Sequence, residues 1–573
     1  MRFSISSLLQ RLLGLIELAP ASDRWLLRLA LFALIASGVW LALAVNEQYI
    51  TETAIPGGSY TEGVLGTPRF VNPALALTRA DQDLTALVYS GLMRIGPGGN
   101  LENDLAETID VSEDGRTYTI TLRRDVKFHD GTPVTARDVV YTYQLIQDPD
   151  LKSPLRGNWT DVTVTEVNEY ELTVTLEEAY APFAENFTTG IMPAHAWSSL
   201  PTEQIPFSQL NTEPIGTGPF AVSRAVHDTS GVITHYELTA FSQPHRPVRI
   251  DAIDLRFYSN EDSLAESLQQ GDVDATAYLK PSVARSLNNS FELYQEPLPR
   301  TFSVFFNQNR SSVLREEAVR EALAVALDRE ALVEAAVSGL GFPNARPTPL
   351  STSTLESENG ITSTSSPTST ATQILQAAEW ELTNGRWEKT IDGSTETLDL
   401  TVRTGNSPLF TALIDELARQ WETIGVDVIT EQYEQTGLVQ SVIRPRDFQV
   451  LLYGTDLSRS YDLYPFWHSS QQDDPGLNIA QYTNITVDDQ LETARISQDT
   501  ASRTAALRTA EQIILEERPA LFLFQPALIY VTTPDLTVTP VTRVGRPSDR
   551  FARVHDWHIE REELWPWFQN RLP

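Results

Sequence analysis

The sequence predicts an α/β protein that follows a single membrane-spanning helix. Its 573 residues are too many for one compact core, and we expect about two to four domains at roughly 100–200 residues each. Segments with strand-like alternation and segments with helical spacing follow one another irregularly, which is typical of mixed α/β lobes with the chain crossing between them. One long apolar stretch, at residues 25–45, lies near the N-terminus.

This apolar stretch reads WLLRLALFALIASGVWLALAV and contains one charged residue, Arg28. It is long enough to cross a hydrocarbon core of about 30 Å. Arginines precede it and acidic residues follow it, and positive charge stays on the cytoplasmic side of a membrane. We therefore predict that residues 1–46 form a cytoplasmic stub and a single-pass anchor in the cell membrane, with the large remainder on the outer face, extracellular or periplasmic.

A cleaved signal peptide is the alternative interpretation of the same residues. Ala42, Leu43 and Ala44 form a small-x-small site at which such a peptide could be cut. The apolar run is longer than the core of a usual signal peptide, and a further segment precedes it. We therefore favour an anchor that is not cleaved.

Composition and charge exclude several classes of function. The formal net charge is −33 and the pI is about 4.6, so the surface repels phosphate backbones and nucleic acid is not an expected partner. The chain contains no cysteine, which excludes disulfides, thiolate metal sites, a cysteine nucleophile and a lipid anchor on an N-terminal cysteine.

The predicted elements follow from the spacing of apolar residues. Two alternating stretches, RTYTITLRR at 116–124 and YELTVTLEE at 170–178, are predicted as strands. The apolar stretch ALFLFQPALIYVTT at 520–533 is predicted as a buried strand. Helical spacing predicts helices over the stretches 316–337, 407–425, 486–495 and 501–517.

One low-complexity segment, STSTLESENGITSTSSPTSTATQ at residues 351–373, is rich in serine and threonine. Such residues cannot build an apolar core. We therefore predict an exposed loop over the whole segment.

The stretch RRDVKFHDGTPVTARDVVYTYQLI places a histidine and an aspartate, His129 and Asp130, side by side. They could be a catalytic base and its partner, or the corner between a strand and a helix. Asp-Gly is a common turn pair, and Thr135 with Asp138 has the spacing of a capping box. We therefore predict that His129 and Asp130 form the corner between a strand and a helix and are not a catalytic pair.

Signatures of catalysis and of cofactor binding are absent from the sequence. There is no Gly-x-Ser-x-Gly, no Ser-x-x-Lys, no His-Glu-x-x-His and no glycine-rich phosphate loop with a lysine. His555 and His558 lie three residues apart, which is weak support for a zinc site because two ligands do not complete one. We predict no catalytic residue, no metal and no cofactor.

Read in order, several segments resemble the peptide-type extracellular solute-binding proteins of ABC importers, the oligopeptide-, dipeptide- and nickel-binding family 5. The resemblance covers residues 57–560. It is carried by motifs that occur in the family's order, which are LRRDVKFHDGTPVTARDVVYTYQLIQDP, IGTGPF, VREALAVALDREALVEAAVSGLG, DLYPFWHSSQ, AQYTNITVDDQLETAR and ERPALFLFQP.

This resemblance implies a fold and a role. The fold is a two-lobe, periplasmic-binding-protein-like clamp (class II, cluster C) with an extra subdomain, and ligand is enclosed as the lobes close. We expect lobe I at 57–78, 205–296 and 516–560, the extra subdomain at 79–204, and lobe II at 297–515. We also expect a monomer that binds peptides and delivers them to a permease whose ATPase subunits are separate chains.

The resemblance also implies a ligand site in the cleft. In the family's peptide binders an acid after an aromatic residue pairs with the peptide's ammonium group, and Asp456 falls on the matching position. Here Arg459 and Ser460 replace the acidic residue and proline that often follow it, which leaves the shape of the pocket and the class of ligand open. The full set of candidate ligand-binding residues is Asp456, Tyr453, Gly454, Phe70, Arg300, Asp462 and Trp467, the last of which belongs either to the cleft or to the core.

Two functional alternatives stay open on the sequence. One is a receptor of the same fold for another solute, such as a glycan, an opine or a nickel chelate. The other is a secreted hydrolase with many exposed aromatic residues.

Overall fold

The computed structural model describes residue 20 and residues 23–49, 51–287, 290–349, 367–457 and 459–564. The chain divides into two compact units. One comprises Met1–Gly57 and His558–Pro573, and the other comprises Gly58–Trp557.

The smaller unit contains the predicted membrane helix. A helix spans Arg24–Tyr49, and within the described residues it is the one helix long and apolar enough to cross a membrane. Two short strands follow in the same unit, Thr51–Ala54 and Arg561–Leu564, which pair antiparallel with Thr51 opposite Leu564. The last described residues of the chain therefore lie beside the residues that leave the helix.

The larger unit is built on a mixed twelve-stranded sheet. Ten strands follow one another across it, in the order Asp427–Tyr433, Asp399–Gly405, Val450–Asp456, Arg300–Phe306, Ala520–Thr532, Ala275–Thr276, Ser59–Leu65, Ala252–Tyr258, Ile233–Ala240 and Phe220–His227. Two more, Glu292–Pro297 and Gly341–Pro343, pair with the strand Ala520–Thr532.

The long strand Ala520–Thr532 joins the two halves of this sheet and confirms the predicted buried strand. Its first half pairs with Arg300–Phe306 and its second half pairs with Glu292–Pro297. The chain therefore passes from one half to the other twice, at residues 297–300 and 524–527, which we call the crossing segments.

Hydrogen bonds tie the two crossing segments together. The backbone N–H of Leu298 donates to the carbonyl of Pro526 at 3.0 Å. The side-chain amide of Gln525 donates to the carbonyl of Leu298 at 2.8 Å, and Gln525 is fully buried. Three prolines, Pro297, Pro299 and Pro526, lie within these few residues.

The half of the sheet that contains Arg300–Phe306 is covered on both faces. Val304 and Phe306 point into one apolar cluster, and Phe305 points into another on the opposite face, as the two-residue period of a strand requires. The helices of this part of the chain are Glu317–Val325, Arg329–Val337, Pro367–Ala377, Pro408–Glu422, Gln435–Leu438, Tyr464–Trp467, Ile485–Ile496 and Thr500–Glu517. A small three-stranded sheet, Glu381–Thr383, Arg386–Ile391 and Ser394–Thr397, accompanies them.

A separate four-stranded sheet contains both alternating stretches that we predicted as strands. Its order is Ala106–Val111, Thr117–Leu122, Glu171–Leu176 and Val162–Asn168. Further elements are a two-stranded pair, Met93–Ile95 with Leu101–Asn103, and the α-helices Arg79–Val88, Ala136–Gln147, Ala194–Trp197, Glu261–Gln270 and Pro281–Leu287. Short 3-10 helices include Ala181–Thr188 and Pro547–Asp556.

Residues 316–337 form two helices where we expected one. The first, Glu317–Val325, ends before Asp328, and the second begins at Arg329. The side chain of Asp328 accepts a hydrogen bond from the backbone N–H of Ala331 at 3.0 Å and so caps the second helix. An aspartate competes with helix propagation by bonding to nearby backbone groups, and it is favoured at an N-cap.

The serine- and threonine-rich segment was predicted as a loop throughout, and its last part is a helix instead. Residues 351–366 lie outside the described residues, but Pro367–Ala377 is helical. Proline is well placed at a helix start, and the buried Ala371 and Leu375 recur at helical spacing within the core. The high content of serine and threonine in the sequence masked the helical spacing of these apolar residues.

The helix Arg79–Val88 packs against residues 547–556 and against the strand Phe220–His227. We expected these partners in lobe I and the helix itself in the extra subdomain, which we began at residue 79. The domain boundaries stay a prediction.

Candidate functional site

The corner at His129 is held by backbone groups. The His129 ring bonds the Gly218 carbonyl through Nε2 at 3.1 Å, and its Nδ1 accepts the N–H of Gly216 at 3.3 Å. Burial lowers the pKa of His129 to about 4. Asp130 instead pairs with His195 at 2.7 Å. His129 and Asp130 therefore have different partners. The helix Ala136–Gln147 begins after Thr135 with the predicted capping box.

Two of the candidate ligand residues, Arg300 and Asp456, lie opposite each other in the sheet. Arg300 begins its strand, Asp456 ends the neighbouring strand, and the register pairs them. Arg300 Nη2 is 3.0 Å from Asp456 Oδ2, and each side chain is 51% exposed. Exposed pairs of this kind contribute only about 0.2–1 kcal/mol to stability. A ligand charge can therefore compete for either side chain at small cost.

Tyr453 and Gly454 precede this pair on the same strand. The Tyr453 ring is half-buried and stacks on the Phe410 ring with centroids 6.3 Å apart. A Cβ at Gly454 would lie 3.1 Å from the Phe302 ring, so this position has little room for a side chain. The close approach explains the glycine by packing alone.

Asp462 is nearly buried, with 11% of its side chain exposed, and is bonded from three sides. It accepts bonds from the hydroxyl of Tyr180 at 3.3 Å and from the backbone N–H of Tyr464 at 3.0 Å. Arg495 Nε lies 3.1 Å from its carboxylate, and the Arg495 guanidinium also stacks over the Tyr180 and Tyr464 rings. In this conformation Asp462 joins two distant parts of the chain.

The two remaining candidates, Phe70 and Trp467, differ in burial. Phe70 is partly exposed, and the guanidinium of Arg69 lies 5.0 Å from its ring centroid. Trp467 is only 3% exposed and packs in the apolar cluster that contains Phe305 and Phe522. Of the two positions that we considered for Trp467, the structure shows the core.

A cavity of about 640 Å³ lies beside the loop that carries Asp462. One wall is formed by residues 155–189, and the other by Arg459, Ser460, Arg495, Gly545 and Arg546. Tyr180 and Arg495, which both contact Asp462, line this cavity, whereas Asp456, Arg300, Tyr453 and Phe70 do not. The candidate ligand residues therefore fall into two groups. Asp462 has partners that line the cavity, whereas Asp456, Arg300, Tyr453 and Phe70 do not line it.

Arg459 and Ser460 are the cavity residues that the sequence analysis noted, because the resemblance implies an acidic residue and a proline at these positions. The Arg459 guanidinium forms a buried ion pair with Asp549. The backbone N–H groups of Gly545 and Arg546 also donate to the Asp549 carboxylate, at 2.7 and 3.0 Å. Although burial acts to raise it, the neighbouring Arg459 and Arg546 lower the pKa of Asp549. Sequence patterns did not identify Asp549, because it lies 90 positions from Arg459.

Metal-ligand clusters are absent from the part of the chain that the structure describes. No group of three or more histidine and acidic side chains there could hold a metal ion.

Comparison with protein families gives a match over most of the larger unit. The model for bacterial extracellular solute-binding proteins, family 5 Middle, matches residues 100–475.

Individual relatives agree with this match. The oligopeptide-binding protein AppA of Bacillus subtilis is 28% identical over 482 residues, covering 82% of this chain and 86% of AppA. A structure of B. subtilis AppA in complex with a nonapeptide aligns with 25% identity and a TM-score of 0.61, over 89% of this chain and 100% of that one. The ABC transporter substrate-binding protein CtaP of Listeria monocytogenes aligns with 22% identity and a TM-score of 0.69, over 88% and 99%.

Proposed function

The chain belongs to family 5 of the bacterial extracellular solute-binding proteins, and from this premise we propose that it is the peptide receptor of an ABC importer. The observation that carries the proposal is its likeness to AppA, which extends over most of both chains and includes a structure with a bound nonapeptide. Members of this family are receptors, and we propose that this one binds its ligand and releases it unchanged.

We propose that the receptor works as a monomer held at the outer face of the cell membrane. The helix Arg24–Tyr49 is long enough to span the bilayer, and arginines stand before it, which favours an outside location for the remainder. Its partner would be a permease with separate ATPase subunits, since the sequence offers no phosphate-binding loop.

An extended peptide presents N–H and C=O groups at regular spacing, which a cleft can pair with as an added strand. Its charged ends need partners, because burying an unpaired charge is costly. We propose that Asp456 receives the ammonium group and that Arg300 meets a carboxylate of the ligand. Their mutual ion pair at 3.0 Å keeps both charges balanced before a ligand arrives.

Calorimetry with a library of di- to hexapeptides tests this proposal. We expect saturable binding, and we expect Asp456→Asn to weaken it by about 2–5 kcal/mol because the ammonium group loses its charged partner. Asp427→Asn is the matched control, since Asp427 also forms an exposed strand-end pair, with Arg386 at 2.7 Å. The absence of saturable peptide binding, or equal effects of the two substitutions, would exclude the proposed role of Asp456.

Two further measurements separate the alternatives, namely calorimetry with glycans, opines and nickel chelates, and an activity screen with peptide and sugar substrates. Binding of a glycan, an opine or a nickel chelate in place of peptides would leave the fold and the family intact and change the ligand class. Turnover of any peptide or sugar substrate would instead identify a hydrolase.

A further inference from the structure

The cavity beside Arg459 has the size of a ligand pocket. Its volume of about 640 Å³ falls within the range of roughly 300–1,000 Å³ that is usual for bound small molecules. Its walls come from parts of the chain far apart in sequence, residues 155–189 on one side and Arg459, Arg495 and Arg546 on the other.

The charged side chains divide between the two walls by sign. Of the charged residues that line the cavity, those within 155–189 are all acidic, and those of the opposite wall are all arginines. The four acidic residues are Asp161, Glu177, Glu178 and Glu185.

The arginine wall already has acidic partners within the protein. Arg459 pairs with the buried Asp549, and Arg546 reaches the same carboxylate at 3.5 Å. Arg495 lies 3.1 Å from Asp462. Among the side chains that line the cavity, four carboxylates face three guanidinium groups, and these guanidinium groups already have acidic partners.

Glu185 is the least exposed acid of its wall. Asp161, Glu177 and Glu178 are exposed to solvent, whereas Glu185 is partly buried. Within the described residues, no ion pair within 4.0 Å and no hydrogen bond to its carboxylate is formed. Burial, with a smaller contribution from the nearby Asp549, raises the pKa of Glu185, and Arg459, Arg543 and Arg503 offset part of this rise.

We propose that Glu185 forms a subsite for a positively charged side chain of the bound peptide, so that ligands with a lysine or arginine are preferred. This inference rests on the proposed function and adds a ligand class to it. The subsite is separate from Asp456, which does not line the cavity.

The physical reason is the partial burial of the acid. A cation that reaches Glu185 gains a charge-assisted hydrogen bond to a partly buried carboxylate, and such bonds are stronger than those between neutral groups. A neutral side chain of the same length leaves the carboxylate without that partner.

Matched peptides test the subsite. Lysine is placed at each position of an alanine tripeptide in turn, with norleucine as the neutral analogue of similar length, and dissociation constants are measured by calorimetry on the full chain. We expect at least one lysine peptide to bind about 10-fold or more tightly than its norleucine counterpart. Glu185→Gln should remove this preference, so that the lysine peptide binds no more tightly than its norleucine counterpart.

Glu166→Gln is the control, because Glu166 is an exposed acid on the strand Val162–Asn168 and does not line the cavity. It should keep the preference for lysine. Norleucine peptides that bind as tightly as lysine peptides, or an equal loss for both on Glu185→Gln, would overturn the subsite and leave the proposed function standing. A failure of these tripeptides and of the whole di- to hexapeptide library to bind would overturn both.

Discussion

The larger unit contains two groups of paired charges in opposite surroundings. Arg550 lies between Glu62 and Asp83 at 2.9 and 2.7 Å, and all three side chains are at most 2% exposed. Arg300 and Asp456 are 3.0 Å apart with half of each side chain in water. The distances are alike, so the difference in environment decides what each group does.

In the buried group every member has further polar partners. The hydroxyl of Tyr530 donates to Glu62, and the hydroxyl of Tyr278 donates to Asp83, each at 2.7 Å. Although burial acts to lower it, the two neighbouring acids raise the pKa of Arg550 well above its ordinary value. This group fixes the packing of chain segments distant in sequence. The exposed pair of Arg300 and Asp456 contributes little to packing. Its side chains can therefore exchange one partner for another.

Removing the buried cation should give the largest effect. Arg550→Met leaves Glu62 and Asp83 buried without their charged partner, and we expect a loss of about 3–5 kcal/mol in the free energy of unfolding. Chemical denaturation followed by tryptophan fluorescence measures it. A loss below about 1 kcal/mol would mean that the buried group contributes no more than an exposed pair.

Acid should weaken a second buried ion pair, in which Arg246 lies 2.6 Å from Asp104. Although burial acts to raise it, Arg246 and the hydrogen bond from His245 lower the pKa of Asp104 to about 2. Because the ordinary value is near 3.9, Asp104 stabilises the folded state by about 2 kcal/mol above pH ~4, and this contribution is lost as the pH falls through about 2.

Asp104→Asn tests this dependence on pH. The difference in unfolding free energy between the wild type and this variant should narrow as the pH falls from about 4 towards 2. Parallel curves for Asp104→Asn and the wild type over this range would contradict the lowered pKa.

The smallest effect is expected at the exposed pair. Arg300→Met should change the free energy of unfolding by less than about 1 kcal/mol, as is usual for pairs in water. The same denaturation measurement checks it. A loss as large as that of Arg550→Met would show that the strand ends at Arg300 and Asp456 need their ion pair to hold the sheet.

The fold was predictable where local patterns and tertiary packing agree. The stretch at 520–533 has enough apolar residues to be recognised as a buried strand, and it spans Ala520–Thr532 in the structure. The capping residues Thr135 and Asp138 gave the correct start of their helix. Prediction failed at Asp328, where one capping side chain overrides a helical pattern that continues on both sides.

The candidate site was less accessible to prediction, because its contacts are long-range. Asp456 and Arg300 were chosen separately, and the sequence did not indicate that they pair across 156 positions. Arg459 was noted as a departure from the family, but its partner Asp549 and the cavity that they border depend on tertiary packing. Sequence patterns report periodicity along one segment and carry little information about which distant segments meet.

The three prolines of the crossing segments limit how the two halves of the large sheet can move. Proline fixes its own φ angle and has no N–H to exchange between partners, and the Gln525 side chain is bonded to the Leu298 carbonyl. We expect these restraints to reduce the number of directions in which the two halves can turn. Two fluorophores, one on each half, should therefore report a small number of discrete separations, and a broad continuum would indicate a looser connection.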